Sequence, residues 1–259
     1  MNYFFGLKSK YFTSELQIPR FQNRRPTDIS NKIKLFRCFI DNDQWNIEEV
    51  NNDNDPNDFF ILKKNITNNN DIFFLASHND IKKFNYKVLN PVNSFTNTSP
   101  AFRSNLKIQY KDLGFSSYQS EYPCNMISKK GSIVSSVFSI CDKNANKNYL
   151  IFRNIFHLPI NDSFDAYFIN IKKEKIEEKI KLKLNHTNFF EIKNSLVKPE
   201  IFFFTSGYLG IPVYLSENNG HLSMEHTHPP HSYFLSKNKF EKVKNLKSKI
   251  SEIINQKNL

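Results

Sequence analysis

The sequence has little glycine and no long apolar run. Only six of its 259 residues are glycine, which argues against glycine-rich phosphate-binding loops and flexible glycine linkers. No apolar run approaches the roughly 18 residues that a membrane-spanning helix needs, and the mean hydropathy is −0.55. We therefore expect no transmembrane segment.

Cysteine is also scarce. The three cysteines, Cys38, Cys124 and Cys141, are odd in number, far apart and without a C-x-x-C pair. This pattern argues against a disulfide framework or a cysteine-based zinc site, and it favours a reducing compartment. The apolar run near the N-terminus, residues 3–5, is too short for a secretory signal peptide. The sequence therefore predicts a cytoplasmic protein.

The positive charge comes from lysine, because arginine is scarce. The formal net charge is +11, with 30 lysines against six arginines and with 35 asparagines. Residues 236–259 alone carry +5. Lysine, asparagine, isoleucine and phenylalanine all have AT-rich codons, so genome composition is an alternative source of this bias. Since bidentate readers of bases and phosphates are usually arginine, we do not expect specific nucleic-acid binding.

Aromatic residues are abundant, with 26 phenylalanines and 11 tyrosines. So much aromatic surface must be buried in a core, which excludes a disordered or fibrous chain. The length fits a single β-rich domain over 1–259. The alternative is a subdivision into 1–95 and 100–259, because proline, serine and threonine collect near 90–104.

Short apolar runs separated by polar clusters predict strands and turns. Their spacing favours a mainly β protein, with antiparallel sheets in a β-sandwich or jelly roll. Segments 41–58 and 116–123 are predicted to be polar loops. The predicted strands are 33–40, 58–63, 71–77, 84–89, 105–110, 132–140, 148–157, 165–171, 179–184, 200–205, 212–216 and 221–228.

One amphipathic helix is predicted at the C-terminal end, over 237–256. We expect it to dock on the sandwich, with a basic membrane-surface or partner-binding helix as the alternative. Its apolar positions recur every three or four residues, at Phe240, Val243, Leu246, Ile250 and Ile253.

Four of the seven histidines fall within residues 221–231: His221, His226, His228 and His231. Short histidine-rich tracts are candidates for metal binding. The preceding turn, Glu217-Asn218-Asn219-Gly220, predicts a hairpin between 212–216 and 221–228, because Asn-Gly readily adopts positive φ.

Strand alternation turns His226 and His228 toward the apolar side of this hairpin, together with Leu222 and Met224. Two imidazoles at i and i+2 can hold one Zn, Fe or Mn ion, with His231 as a third ligand after Pro229-Pro230. The alternative is that the inward histidines bond main-chain carbonyls. Glu225 lies on the opposite face and acts in catalysis only if the strand is bulged.

Arg153 lies in a strand that is half-buried on both faces, so we expect it to need an anionic partner. That partner is an internal carboxylate or the carboxylate or phosphate of a ligand. Arg103 is a similar, weaker case. Tyr118, Gln119 and Tyr122 are residue types that line sugar or nucleotide pockets; the alternative is that the tyrosines anchor a polar loop.

Three functions remain open on the sequence alone. The first is a metal-dependent enzyme for a small polar or sugar-like substrate, with Glu225 and Arg153 in the catalytic site and the three histidines His226, His228 and His231 on the metal. The second is a non-catalytic glycan- or ligand-binding module. The third is a structural or assembly protein whose sandwich presents its edges to partners or to a second copy, with the basic helix as the docking element.

Overall fold

The structure, a computed structural model, describes residues 2–20, 33–50, 59–63, 66, 68–90, 103–111, 113–226 and 237–256. For 237–240 only the main chain is described. This part of the chain is mainly β, with antiparallel sheets and a C-terminal helix, so the predicted fold class is confirmed.

Strands account for most of the regular structure. Two α-helices are described, α1 (His78–Ile81) and α2 (Lys237–Gln256), together with short 3-10 turns at Cys124–Met126 and Asn194–Leu196. The described strands are β1 (Asn2–Tyr3), β2 (Thr13–Pro19), β3 (Ile33–Asp41), β4 (Gln44–Glu49), β5 (Phe59–Leu62), β6 (Ile72–Ser77), β7 (Ser104–Gln109), β8 (Phe115–Ser120), β9 (Tyr122–Pro123), β10 (Ile133–Ser136), β11 (Lys147–Arg153), β12 (Ser163–Asn170), β13 (Lys175–Lys183), β14 (Thr187–Ile192), β15 (Ile201–Thr205), β16 (Ile211–Asn218) and β17 (His221–His226).

The strands form four main sheets, all antiparallel. The outer sheet has the order β10-β15-β12-β13, and the central sheet has the order β14-β11-β16-β17. The N-terminal sheet has the order β5-β2-β7-β8, and the small sheet has the order β4-β3-β6. The short strands β1 and β9 pair with each other.

The central sheet is apolar on both faces. Side chains of β11 alternate, so that Leu150 and Phe152 pack into a core shared with the outer sheet. Tyr149 and Ile151 point the other way, into a core shared with the N-terminal and small sheets. The molecule therefore stacks sheets on both sides of the central one, which makes the predicted sandwich a layered one.

Helix α2 covers the far face of the outer sheet. Ile250, Ile253 and Ile254 of the helix pack with Tyr167 and Phe204 of that sheet in a third apolar cluster. Burial of this stripe stabilises the docked helix, because each such side chain contributes about 1.5–3 kcal/mol when removed from water. The helix boundaries and the docked stripe agree with the predicted amphipathic helix.

Several local predictions were wrong. Residues 84–89 form turns rather than a strand, with the amide of Phe84 donating to Ile81 and that of Val88 to Asn85. The predicted loops contain β4 in 41–58 and β8 and β9 in 116–123. Strands β2 and β14 had no counterpart among the predicted strands.

The N-terminal and C-terminal parts of the chain share one core. Phe12 packs edge-on against Tyr149 at 5.3 Å between ring centroids, and Trp45 Nε1 donates to the carbonyl of His157 at 2.9 Å. The core therefore extends across the stretch 90–104, of which 91–102 lie outside the described residues. No helix in the described segments is long and apolar enough to span a bilayer.

Candidate functional site

A cavity of about 450 Å³, here called the asparagine cavity, opens where three distant segments meet. Residue 8 comes from the N-terminal segment, 68–70 form the turn before β6, and 183–186 join β13 to β14. Ile40 and residues 160–161 complete the described wall. The volume lies in the range of small-molecule sites, about 300–1,000 Å³.

The lining of the asparagine cavity is polar and carries positive charge. Lys8, Lys183 and His186 line it, and none of its described lining residues is acidic. Its five amide side chains belong to Asn68, Asn69, Asn70, Asn161 and Asn185. Each amide has two N–H donors and one carbonyl acceptor. Those of Asn69 and Asn185 bond the main chain, so the amides left to face a ligand are at Asn68, Asn70 and Asn161.

Hydrogen bonds fix the turn that forms one wall. The Asn69 side chain accepts from the Lys8 amide at 2.6 Å and donates to the Lys8 carbonyl at 2.9 Å. Asp71, almost fully buried, accepts from the Asn68 amide at 2.9 Å and forms an ion pair with Arg37 at 3.0 Å. The wall is thus held from both ends of the turn.

The opposite wall is equally constrained. Asn185 has a φ of 52°, in the left-handed region that asparagine tolerates better than most residues. Its side chain accepts from the Phe156 amide at 2.7 Å and donates to the carbonyl groups of Leu158 and Ile160. Asparagine is favoured here because its short side chain replaces the main-chain partners that a turn lacks.

Arg153 lies directly behind the first wall, with 0% of its surface exposed. Its guanidinium donates to the carbonyls of Asn69 at 2.7 Å and Asn70 at 3.4 Å, and to the hydroxyl of Thr187 at 3.2 Å. Within the described part of the chain, its hydrogen bonds involve no carboxylate, and its Nε has no partner. The structure therefore shows no internal carboxylate paired with Arg153 there.

Burial has electrostatic consequences at this site. Removal from water lowers the pKa of Arg153 to about 9, although Tyr122 and Asp71 favour its charged form. Burial lowers the pKa of His186, and with the smaller effects of the positive charges of Arg153 and Lys183 it falls to about 4. His186 is therefore a neutral imidazole near pH 7, with one donor and one acceptor nitrogen.

The other residues predicted for the site lie away from the asparagine cavity: Arg103 bonds Gln119 and Tyr118 contacts His226, whereas Tyr122 lies apart from them in the core. Arg103, 44% exposed, donates to Gln119 at 3.1 Å and lies 3.5 Å from Glu121. Tyr122 is buried, and its hydroxyl donates to the carbonyl of Ile155 at 3.2 Å; burial raises its pKa to about 12. Arg103 and Gln119 thus form a surface pair, whereas Tyr122 belongs to the core.

The histidine hairpin folds as predicted as far as it is described. Asn219 and Gly220 have φ values of 51° and 86°, as an Asn-Gly turn requires. His226 is 17% exposed and contacts the ring of Tyr118 at 4.6 Å between centroids, so its inward orientation is confirmed. Tyr118 is itself buried.

The remaining residues of the predicted metal site are not brought together. His228 and His231 lie outside the described residues. Glu225 is 64% exposed, and the pairing of β16 with β17 is regular from Val213–His226 to Asn218–His221. The bulge that a catalytic Glu225 requires is therefore absent from β17. In the described segments, no three histidine, cysteine, aspartate or glutamate residues are placed to hold a metal ion.

The asparagine cavity was not predicted from the sequence. A signal was present in the run Asn68-Asn69-Asn70, but with 35 asparagines in the chain such a run is not distinctive. Comparison with known proteins found no matching family model, curated protein or solved structure.

Proposed function

We propose that the protein is a non-catalytic binding module that holds a small polar, sugar-like molecule in the asparagine cavity. The observation that carries this proposal is Asn70. Its side-chain oxygen is buried and has no hydrogen-bond partner within the described part of the chain, and the residue lines the cavity. A buried acceptor without a donor is costly, by about 1–3 kcal/mol, and rotation of this side chain into the cavity would let a hydroxyl group of a bound molecule supply that donor.

The chemistry of the wall supports a polyhydroxylated ligand. Amide groups both donate and accept, as do sugar hydroxyls. Three of those that line the cavity, at Asn68, Asn70 and Asn161, make no side-chain hydrogen bond within the described segments. His186 adds a neutral donor and acceptor at the same wall. Since the two walls are fixed by hydrogen bonds to the main chain, these groups are held in place before a ligand arrives, which lowers the entropy lost on binding.

Binding without catalysis is the simplest use of this site. Hydrolysis of a glycoside usually requires two carboxylates on opposite sides of the bond. None of the described lining residues is acidic, and none is a cysteine or serine nucleophile. The described wall therefore offers recognition groups, with His186 its one side chain suited to proton transfer.

Calorimetric titration of the intact chain with a panel of monosaccharides tests the proposal. We expect at least one member to bind, and Asn70→Ala to weaken that binding by about fivefold or more, since a lost hydrogen bond is worth about 1 kcal/mol. Asn46→Ala is the control, because Asn46 lies in the β3–β4 hairpin and does not line the cavity. Equal affinity of Asn70→Ala and wild type would contradict the proposal.

A metal-dependent enzyme is the alternative proposal, and the inward position of His226 supports it. Elemental analysis of protein purified without a histidine tag tests it. One Zn, Fe or Mn per chain, lost in the double variant His226→Ala/His228→Ala but kept in His221→Ala, would establish the metal. A metal content near zero in the wild type would remove this alternative.

The assembly hypothesis also stays a prediction. The apolar stripe of α2 is already covered by the outer sheet, so docking through this helix would use its polar face. Loss of oligomers on deleting 237–259 remains the test of that idea.

A further inference from the structure

Resting on the proposed function, we infer that the ligand of the asparagine cavity is an anionic sugar, a sugar phosphate or a sugar acid, whose charged group binds Lys8 and Lys183. The inference begins from the charge of the wall. Both lysines line the cavity, both are exposed, and no described lining residue is acidic.

The ammonium groups of these two lysines differ from those of the lysines earlier in β13. In the described part of the chain, neither Lys8 nor Lys183 forms an ion pair, and only their main-chain atoms form hydrogen bonds. The lysines earlier in β13 are paired with carboxylates: Lys175 with Glu177, and both Lys179 and Lys181 with Asp165. Two unpaired cations at the rim of one cavity are therefore available to an anion.

A third positive charge lies behind the wall. The guanidinium of Arg153 is buried, and its described hydrogen bonds go to neutral oxygens. Its charge is therefore not neutralised by a directly bonded carboxylate. Arg153 is fully buried and cannot contact the ligand, but its field acts over the short distance to the cavity, because the interior screens charge less than water does.

The state of His186 agrees with this positive potential. After burial, the charges of Arg153 and Lys183 are the causes that hold its pKa down. The same potential that disfavours a proton on His186 favours a negative charge on a ligand. Neutral His186 then remains free to bond a hydroxyl group of the sugar, while the lysines bind the anionic group.

The test compares matched neutral and anionic sugars on the intact chain by calorimetric titration: glucose, glucuronate and glucose 6-phosphate, with the same set for galactose and mannose. Inorganic phosphate is an additional probe. We expect the anionic members to bind about tenfold or more tightly than their neutral parents. Raising sodium chloride from about 0.05 to about 0.5 M should reduce this advantage, because the lysines are exposed.

Lysine variants test which side chains bind the anionic group of the ligand. Lys8→Gln and Lys183→Gln should each weaken binding of the anionic sugar about fivefold and reduce its salt dependence. Lys10→Gln and Lys181→Gln are matched controls, because they are exposed lysines two residues away that do not line the cavity. Equal losses in a lysine and its control would overturn the inference.

The outcomes separate this inference from the proposed function. If neutral and anionic sugars bind with equal affinity and Asn70→Ala weakens the binding of both, the inference that the ligand is anionic is overturned. The proposed binding function would still hold. Binding of phosphate as tight as that of any sugar phosphate would overturn the sugar and with it the proposed function. No binding by any probe would overturn both.

Discussion

The main chain of Lys8 and the side chain of Asn69 are joined by two hydrogen bonds, of 2.6 and 2.9 Å. This pair fastens the N-terminal segment to the turn before β6, 61 residues away along the chain. One wall of the asparagine cavity depends on it. Asn69→Ala should therefore lower the free energy of unfolding by about 1–2 kcal/mol, since two partly exposed hydrogen bonds are lost.

The same substitution should weaken ligand binding, because Lys8 and the turn are no longer held together. Urea denaturation measures the first effect and calorimetric titration the second. Asn46→Ala again serves as the control, since its side chain also donates two hydrogen bonds, to Asp41 and Gln44. We expect similar losses of stability in both variants and reduced binding only in Asn69→Ala. Unchanged binding in Asn69→Ala would show that the hydrogen bonds between Lys8 and Asn69 do not support the binding site.

His186 should make the stability of the protein depend on pH. Its folded pKa, about 4, lies below the ordinary value of 6.5 because of burial and nearby positive charge. The unfolded chain therefore takes up a proton first as the pH falls. The contribution is fully present above pH 6.5, decreases below it and is lost as the pH passes 4. Because His186 is partly open to solvent, we expect this contribution to the free energy of unfolding to be about 1–2 kcal/mol.

Urea midpoints of the wild type and His186→Gln at several pH values between about 7 and about 4 check this expectation. The variant should lose less stability than the wild type over that range. His221→Gln is the control, because His221 lies on the exposed face of β17. Parallel pH profiles for wild type and His186→Gln would rule out this role.

Gly220 should tolerate substitution less well than Gly207. Both have positive φ, 86° and 90°, so alanine is strained at either position. A Cβ atom at Gly220 would also meet Leu113, whose own Cβ lies 3.0 Å away, whereas nothing lies within 4 Å at Gly207. Gly220→Ala should therefore be less stable than Gly207→Ala by about 0.5–1.5 kcal/mol. Thermal unfolding of the two variants measures the difference, and equal melting temperatures would show that Leu113 moves aside freely.

Arg153→Lys should destabilise the protein by about 1–3 kcal/mol. A single ammonium group cannot reproduce the fork of N–H donors that reaches the carbonyl groups of Asn69 and Asn70 together with Thr187. Arg103→Lys is the matched surface substitution and should cost less than about 0.5 kcal/mol, because Arg103 is exposed. Equal effects in urea denaturation would mean that the buried fork contributes nothing specific.

Local patterns predicted the fold well where periodicity and burial agree. The Asn219-Gly220 turn and the alternation along β17 come from local backbone preferences, and α2 from its apolar stripe. Strand β11 was predicted from its run of apolar residues, and its side chains are buried on both faces. In each case the neighbours along the chain carry enough information to decide the structure.

Tertiary packing decided the elements that were missed. Residues 84–89 look like a strand because Phe84 and Leu89 are apolar, yet both are buried from turns. In sequence, β8 looks like a loop because polar residues stand on both sides of Tyr118. Its pairing with β7 makes it a strand. The cavity combines positions 8, 68–70 and 183–186, and no sequence window of ordinary length contains them all.

The two-sided central sheet has a consequence for how the protein is made. The described segments that precede residue 112 carry apolar surfaces whose partners, such as Tyr149 and Val213, are synthesised later. At about 5–20 residues per second, these N-terminal segments remain without their packing partners for several seconds, until the later strands are synthesised. Nascent chains stalled before β11 should therefore expose apolar surface and bind chaperones. Chains released after β17 should not.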